Sequence, residues 1–172
     1  MSFHEICTKD FENSVFHTIA KEWMLITAEK QMDGKPVANT MTASWGGLGH
    51  LWNKNVAFAF IRPQRYTKEF VDANDTFTLS FFDGDCMKEM GYLGKVSGKD
   101  VPDKIAQSGL QVKYIDGHPT FAEASQVFVC KKLYHDTIKP ENFYYTEEDE
   151  KWYPEKDYHT VYIAEIVAAY EK

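Results

Sequence analysis

Polar and apolar positions alternate strictly over residues 75–82, where Thr76, Thr78 and Ser80 interleave with Phe77, Leu79 and Phe81. A period of two puts one set on each face of a strand. Residues 22–28 read as a largely buried strand, and residues 36–45 as its return after an Asp33-Gly34 turn. Residues 55–61 alternate alanine and phenylalanine and predict another strand, stopped by Pro63. A short helix follows from Thr67, with Thr67 as its N-cap. Residues 85–94 and 101–108 read as two further helices. Residues 110–115 return to strand before an Asp116-Gly117 turn, and residues 124–134 and 161–170 predict the last two strands. Between them, residues 140–158 read as irregular, with the acidic run Glu147, Glu148, Asp149, Glu150 as a solvated loop. Many short strands and a few helical insertions predict a mainly β fold, an antiparallel barrel carrying helices.

Composition narrows the class. A chain of 172 residues predicts one domain spanning 1–172. Hydrophobic residues make up 44% and charged residues 26%, the balance of a globular chain. No apolar run is long enough to span a bilayer, and the N-terminus has neither the basic start nor the apolar core of a secretory signal. Cys7, Cys86 and Cys130 are odd in number and widely spaced, which argues against a disulfide framework or a zinc site and fits a reducing cytoplasm. The net charge of −7 argues against nucleic acid as a partner, since that role needs a basic face. The six histidines are scattered, so no metal is expected. Gly46-Gly47-Leu48-Gly49 lacks the strand-to-helix frame of a dinucleotide fingerprint.

Against this acidic background two segments stand out. Arg62-Pro63-Gln64-Arg65-Tyr66-Thr67 puts two arginines around a proline turn at a helix entry. Arginine forks, a threonine hydroxyl and the amides of a helix start are the groups that hold a phosphate. Asn39-Thr40-Met41-Thr42-Ala43-Ser44-Trp45 is rich in small hydroxyls and closes on a tryptophan. Thr42 and Ser44 share a strand face, and Trp45 stands where it can press on a flat ring. Together they suggest a pocket for a planar, phosphate-bearing ligand. His159, entering the last strand, is either a strand-end structural residue or a group that hydrogen-bonds a substrate.

These segments, taken with Phe77-Thr78-Leu79-Ser80-Phe81-Phe82, Val96-Ser97-Gly98-Lys99-Asp100 and His159, resemble in their order the flavin reductase-like FMN-binding split-barrel family, including its flavoredoxin-type members. The resemblance runs over roughly residues 22–167. It implies a six-stranded antiparallel split barrel and a homodimer holding non-covalent FMN near the subunit interface. By position, Thr42, Ala43, Ser44 and Trp45 would line the flavin. Arg62, Arg65, Tyr66 and Thr67 would hold phosphate and ribityl oxygens. Ser97, Gly98 and Lys99 would border the site, and His159 would lie by the redox face as the candidate catalytic residue. The implied activity is NAD(P)H-dependent reduction of a flavin or another acceptor, with NADH or NADPH as reductant and a small molecule or protein as acceptor. The alternatives are a flavoredoxin-like electron carrier and an FMN-binding protein without nicotinamide-dependent turnover. The segment from Gly46 to Trp52 is longer and more aromatic than an open reductase pocket needs, and His50 and Trp52 would narrow access to the ring.

Overall fold

The computed structural model describes residues 2–8 and 14–172. Its strands are β1 (His4–Ile6), β2 (Met24–Met32), β3 (Lys35–Ala43), β4 (Gly46–Leu51), β5 (Lys54–Ile61) and β6 (Thr76–Phe81), then β7 (Val112–Ile115), β8 (His118–Phe121), β9 (Gln126–Thr137) and β10 (Thr160–Glu171). The helices are α1 (Val15–His17), which runs into a π-helical turn at Thr18–Glu22, α2 (Thr67–Asp72), α3 (Met87–Lys95), α4 (Lys104–Ser108) and α5 (Thr146–Trp152). No helix among the described residues is long and apolar enough to cross a membrane.

The main sheet is antiparallel in the order β3-β2-β6-β9-β10-β5-β4. β1 pairs with the far half of β10, beyond the stretch that pairs with β5. The terminal strands β3 and β4 do not pair, so the sheet is not a closed barrel. β7 and β8 form a separate hairpin. The alternation in β6 is realised between two layers. Phe77, Leu79 and Phe81 enter a core with Ile26, Met41, Ile61, Phe70, Phe128 and Tyr162. On the other face the hydroxyls are buried and satisfied: Thr78 donates to the Pro119 carbonyl at 2.6 Å, and Ser80 bonds Thr120 at 2.9 Å. The β7–β8 hairpin therefore covers a polar strand face that water would otherwise occupy. Below it lies a second core of Leu25, Phe82, Met90, Leu93, Ile105, Phe121 and Val127.

Three expectations change. The main sheet has eight strands among the described residues rather than six. One addition is β4, concealed by its glycines. A Cβ at Gly46 would stand 2.8 Å from the Phe58 carbonyl oxygen, so glycine lets the two backbones approach. The strand from residue 36 accordingly ends at Ala43, and Ser44 and Trp45 form the break before β4. Second, the acidic run is helical. Glu147, Glu148 and Asp149 fill the first turn of α5 and Lys151 the last, complementing the helix dipole at both ends. Third, Thr67 is the first residue of α2 rather than its cap, and no side chain caps that helix. The Thr67 hydroxyl instead accepts a hydrogen bond from Asn39 at 3.0 Å.

Candidate functional site

The end of β3, the break at Ser44-Trp45 and the end of β5 meet at one edge of the sheet. Between them and the end of α5 lies a cleft of about 270 Å³ lined by Met41, Thr42, Ala43, Ser44, Trp45, Phe60, Arg62, Arg65, Trp152 and His159. A second hollow of about 200 Å³ is lined by Gln64, Arg65, Tyr66, Thr67, Gly94, Lys95, Val96, Ser97, Gly98 and Lys104. Arg65 lines both, so the two adjoin. One end of the combined cleft is aromatic and the other cationic.

At the aromatic end, Trp45 meets Trp152 edge-on at 5.1 Å and His159 at 5.2 Å. Phe60 stands behind His159 at 6.4 Å. The His159 ring is buried and its Nδ1 is 2.8 Å from the Tyr153 hydroxyl. Burial, with the Arg62 charge adding to it, pushes the His159 pKa down to about 4, so the imidazole is neutral at physiological pH. Thr42 donates from Oγ1 to the Met90 carbonyl at 2.5 Å, tying β3 to α3 beneath the cleft.

At the cationic end, Arg65 donates to the Gly94 carbonyl at 2.7 Å. Lys104 is buried and donates to the carbonyls of Val96 at 3.0 Å and Leu93 at 3.3 Å. Among the described residues neither cation has a carboxylate partner. Burial lowers the pKa of both, and the neighbouring Arg65 charge helps bring Lys104 to about 8. A buried lysine and a half-buried arginine in the same hollow without a counter-ion are electrostatically costly, and a bound anion would relieve both. Gly98 lets this wall close: a Cβ there would stand 2.4 Å from Asn39 Oδ1 and 3.3 Å from Tyr66 Cδ1. The helix start contributes less than its sequence promised. The Lys68 and Glu69 amides already bond the Arg65 and Tyr66 carbonyls at 2.9 and 3.1 Å.

Most of the residues singled out in the sequence come together here. Thr42, Ala43, Ser44, Trp45, Arg62 and His159 line the aromatic end, and Tyr66, Thr67, Ser97 and Gly98 the cationic end, with Arg65 on both. Arg62, however, is already committed. It pairs with Asp157 and donates to the Trp152 carbonyl at 2.8 Å, and its guanidinium lies 5.2 Å over the Tyr153 ring. Gln64 also donates to Asp157, at 2.5 Å. Arg62 therefore fastens the segment after α5 to the cleft. Lys99 lies outside the lining; its side chain is 73% exposed and 4.0 Å from Glu69. His50 and Trp52 do not narrow the cleft. They sit at the far end of β4 and in the turn to β5, where His50 bonds Asn55. Trp152, the last residue of α5, takes that place. Lys104 and Trp152 were both missed. The available signals were a lysine beside Ile105 on the apolar side of α4 and the charge gradient along α5.

No protein-family model matches the sequence, and no curated protein matches it. Solved structures do match. An FMN-binding domain of a flavin reductase-like enzyme from Shewanella baltica is 16% identical, with a TM-score of 0.67 over 99% of this chain and 77% of that one. A flavoredoxin from Methanosarcina acetivorans is 22% identical, with a TM-score of 0.65 over 95% of this chain and 74% of that one. The fold is that of the flavin reductase-like split barrels. A third match, the NADH:FAD oxidoreductase of Streptomyces globisporus in complex with NAD and FAD fragments, is 14% identical, with a TM-score of 0.64 over 88% of this chain and 74% of that one. On this chain's split barrel the cleft lies at the edge where β3, β5 and α5 converge.

Proposed function

We propose that this protein is an FMN-binding oxidoreductase that takes electrons from NADH or NADPH and passes them to a flavin or another acceptor. The observation that carries the reading is the polarity of the cleft: an aromatic wall at one end, and at the other the buried Lys104 and the half-buried Arg65, with no carboxylate partner among the described residues. A planar ring with a terminal phosphate fits that asymmetry, and a neutral ligand would leave Arg65 and Lys104 uncompensated. The fold neighbours, named as flavin reductase-like, flavoredoxin and NADH:FAD oxidoreductase, support it. Bound there, FMN would supply the redox chemistry, accepting hydride from a nicotinamide or handing electrons onward.

The residues of this chain would do the rest. Arg65 and Lys104, with Thr67, Ser97 and the close wall at Gly98, would hold the phosphate. Thr42, Ser44 and the backbone around Ala43 would meet the polar ring edge, with Trp45 and Trp152 against the ring. The Arg62–Asp157 pair would keep Trp152 in place and so limit water. A homodimer accords with a large apolar hollow lined by Phe16, Ile19, Trp45 and Leu48, next to the cleft. There Phe16 is 89% exposed in the single chain. A flavin-loaded chain that sediments as a monomer would remove the shared-site part of this reading.

The flavoredoxin-like carrier is separated by one experiment. Under anaerobic conditions, NADH or NADPH should bleach the bound flavin at a rate that supports turnover. Bleaching by dithionite but not by either nicotinamide would assign the carrier role instead.

A further inference from the structure

We propose that Tyr153 is a positioning residue: its buried hydroxyl donates to His159 Nδ1 and fixes the imidazole as the tautomer that carries its proton on Nε2, giving the redox end of the cleft one uncharged hydrogen-bond donor for a planar carbonyl compound. The inference rests on the functional reading above for what is bound, but the tautomer itself does not.

The geometry constrains the proton. Tyr153 and His159 are 4% and 7% exposed, and their Oη and Nδ1 atoms are 2.8 Å apart. The phenol oxygen also takes the His159 backbone N–H, so His159 Nδ1 is the one acceptor for its proton among the described residues. If Nδ1 carried the proton, the phenol would accept, and its own buried proton would have no acceptor. If the phenol donates, both groups are satisfied. The proton of the neutral ring then resides on Nε2, which has no partner among the described residues, on a ring that forms part of the cleft wall. The pair is held from several sides. Trp45 and Phe60 flank the imidazole, Tyr153 meets it at 79°, and Phe143, Tyr158 and the Arg62 guanidinium pack on Tyr153.

Charge sets the ligand class. Burial and the Arg62 charge keep the imidazole neutral down to about pH 4. Arg62 itself is paired with Asp157. The redox end thus offers aromatic surface and the neutral N–H of His159, while Arg65, which borders both ends, would be engaged by the phosphate together with Lys104. A carbonyl oxygen of an amide, aldehyde or quinone fits such a donor; a carboxylate would lose its hydration with no cation free to replace it.

The tautomer is read by ¹⁵N NMR of the histidine-labelled chain without flavin, with His159 assigned by its loss in His159→Gln. The expected result is a proton-free signal at Nδ1 and a protonated signal at Nε2. In Tyr153→Phe, which keeps the ring and its packing, the two should move toward a mixture. A proton on Nδ1 in the unaltered chain, or no change in the variant, would overturn the proposal. A second arm uses benzaldehyde and benzoate as probes of the FMN-loaded chain, read by the flavin spectrum. Benzaldehyde should bind better than benzoate. Tyr153→Phe should weaken benzaldehyde roughly five- to tenfold, the weight of one oriented hydrogen bond. It should have no further effect in a His159→Phe background. An equal effect in both backgrounds would make Tyr153 merely structural. A chain that takes up no FMN yet shows the Nε2–H tautomer would fail the functional reading and leave the tautomer standing.

Discussion

Replacing Arg65 or Lys104 with methionine should weaken FMN binding by roughly 10- to 150-fold each, and Lys104→Met should leave riboflavin within about threefold. The estimate follows from about 1.5–3 kcal/mol for a hydrogen bond to a charged group, at 1.4 kcal/mol per tenfold. The selectivity follows from position: both residues line the cationic hollow, and Lys104 is absent from the aromatic end. Because the two cations would share one anion, their effects should be non-additive. Fluorescence titration of each variant with both flavins reads the result. Equal losses for FMN and riboflavin would move the phosphate elsewhere.

Lys104 adds a pH signature whose sign can be worked out. Its folded pKa is brought down to about 8 from the 10.5 of an unperturbed lysine. In the free protein the cost of its buried charge is present below about pH 8 and fades as pH rises toward 10.5, so this group makes stability rise over that window. A bound phosphate favours the charged form, so FMN binding should take up a proton and weaken as pH climbs above about 8. Lys104→Met should abolish that slope.

The second large effect is expected at Gly98. Its added Cβ in Gly98→Ala would stand 2.4 Å from the side-chain oxygen of Asn39, which is buried and bonded to Thr67. The neighbour has little room to yield. A loss of about 1–3 kcal/mol in unfolding free energy is expected, the usual cost of overpacking. FMN should be lost with it, because the displaced groups form the cationic wall. Gly91 is the control. It lies in α3, and a Cβ there meets nothing within 4 Å. Gly91→Ala should be neutral or stabilise by up to about 1 kcal/mol. Urea unfolding of the two variants checks both signs. A Gly98→Ala protein as stable as the parent would show that the wall is not tightly packed.

What the sequence reveals and what it conceals have physical causes. The alternation in β6 is legible because both faces have a fixed character, apolar on one core and hydroxyl beneath the β7–β8 hairpin. Thr42, Ser44, Trp45 and Arg65 are legible because contiguous segments deliver them, a strand end and a proline turn. β4 is hidden because its glycines serve close backbone approach, which propensity penalises. α5 is hidden because an acidic run reads as solvent-facing, although its charges suit the start of a helix. The roles of Arg62 and Lys104 depend on contacts that no local pattern encodes. Asp157 lies 95 positions from Arg62, and Lys104 is distinguished from a surface lysine only by its burial against Leu93 and Val96.

Selection of a flavin by its phosphate is tested most directly by titrating the flavin-free protein with FMN and with riboflavin at pH 7, followed by quenching of flavin fluorescence. Binding of FMN at least tenfold tighter than riboflavin, with the preference shrinking above pH 8, is the predicted result. Equal affinity for the two flavins at every pH, or no binding of either, would contradict it.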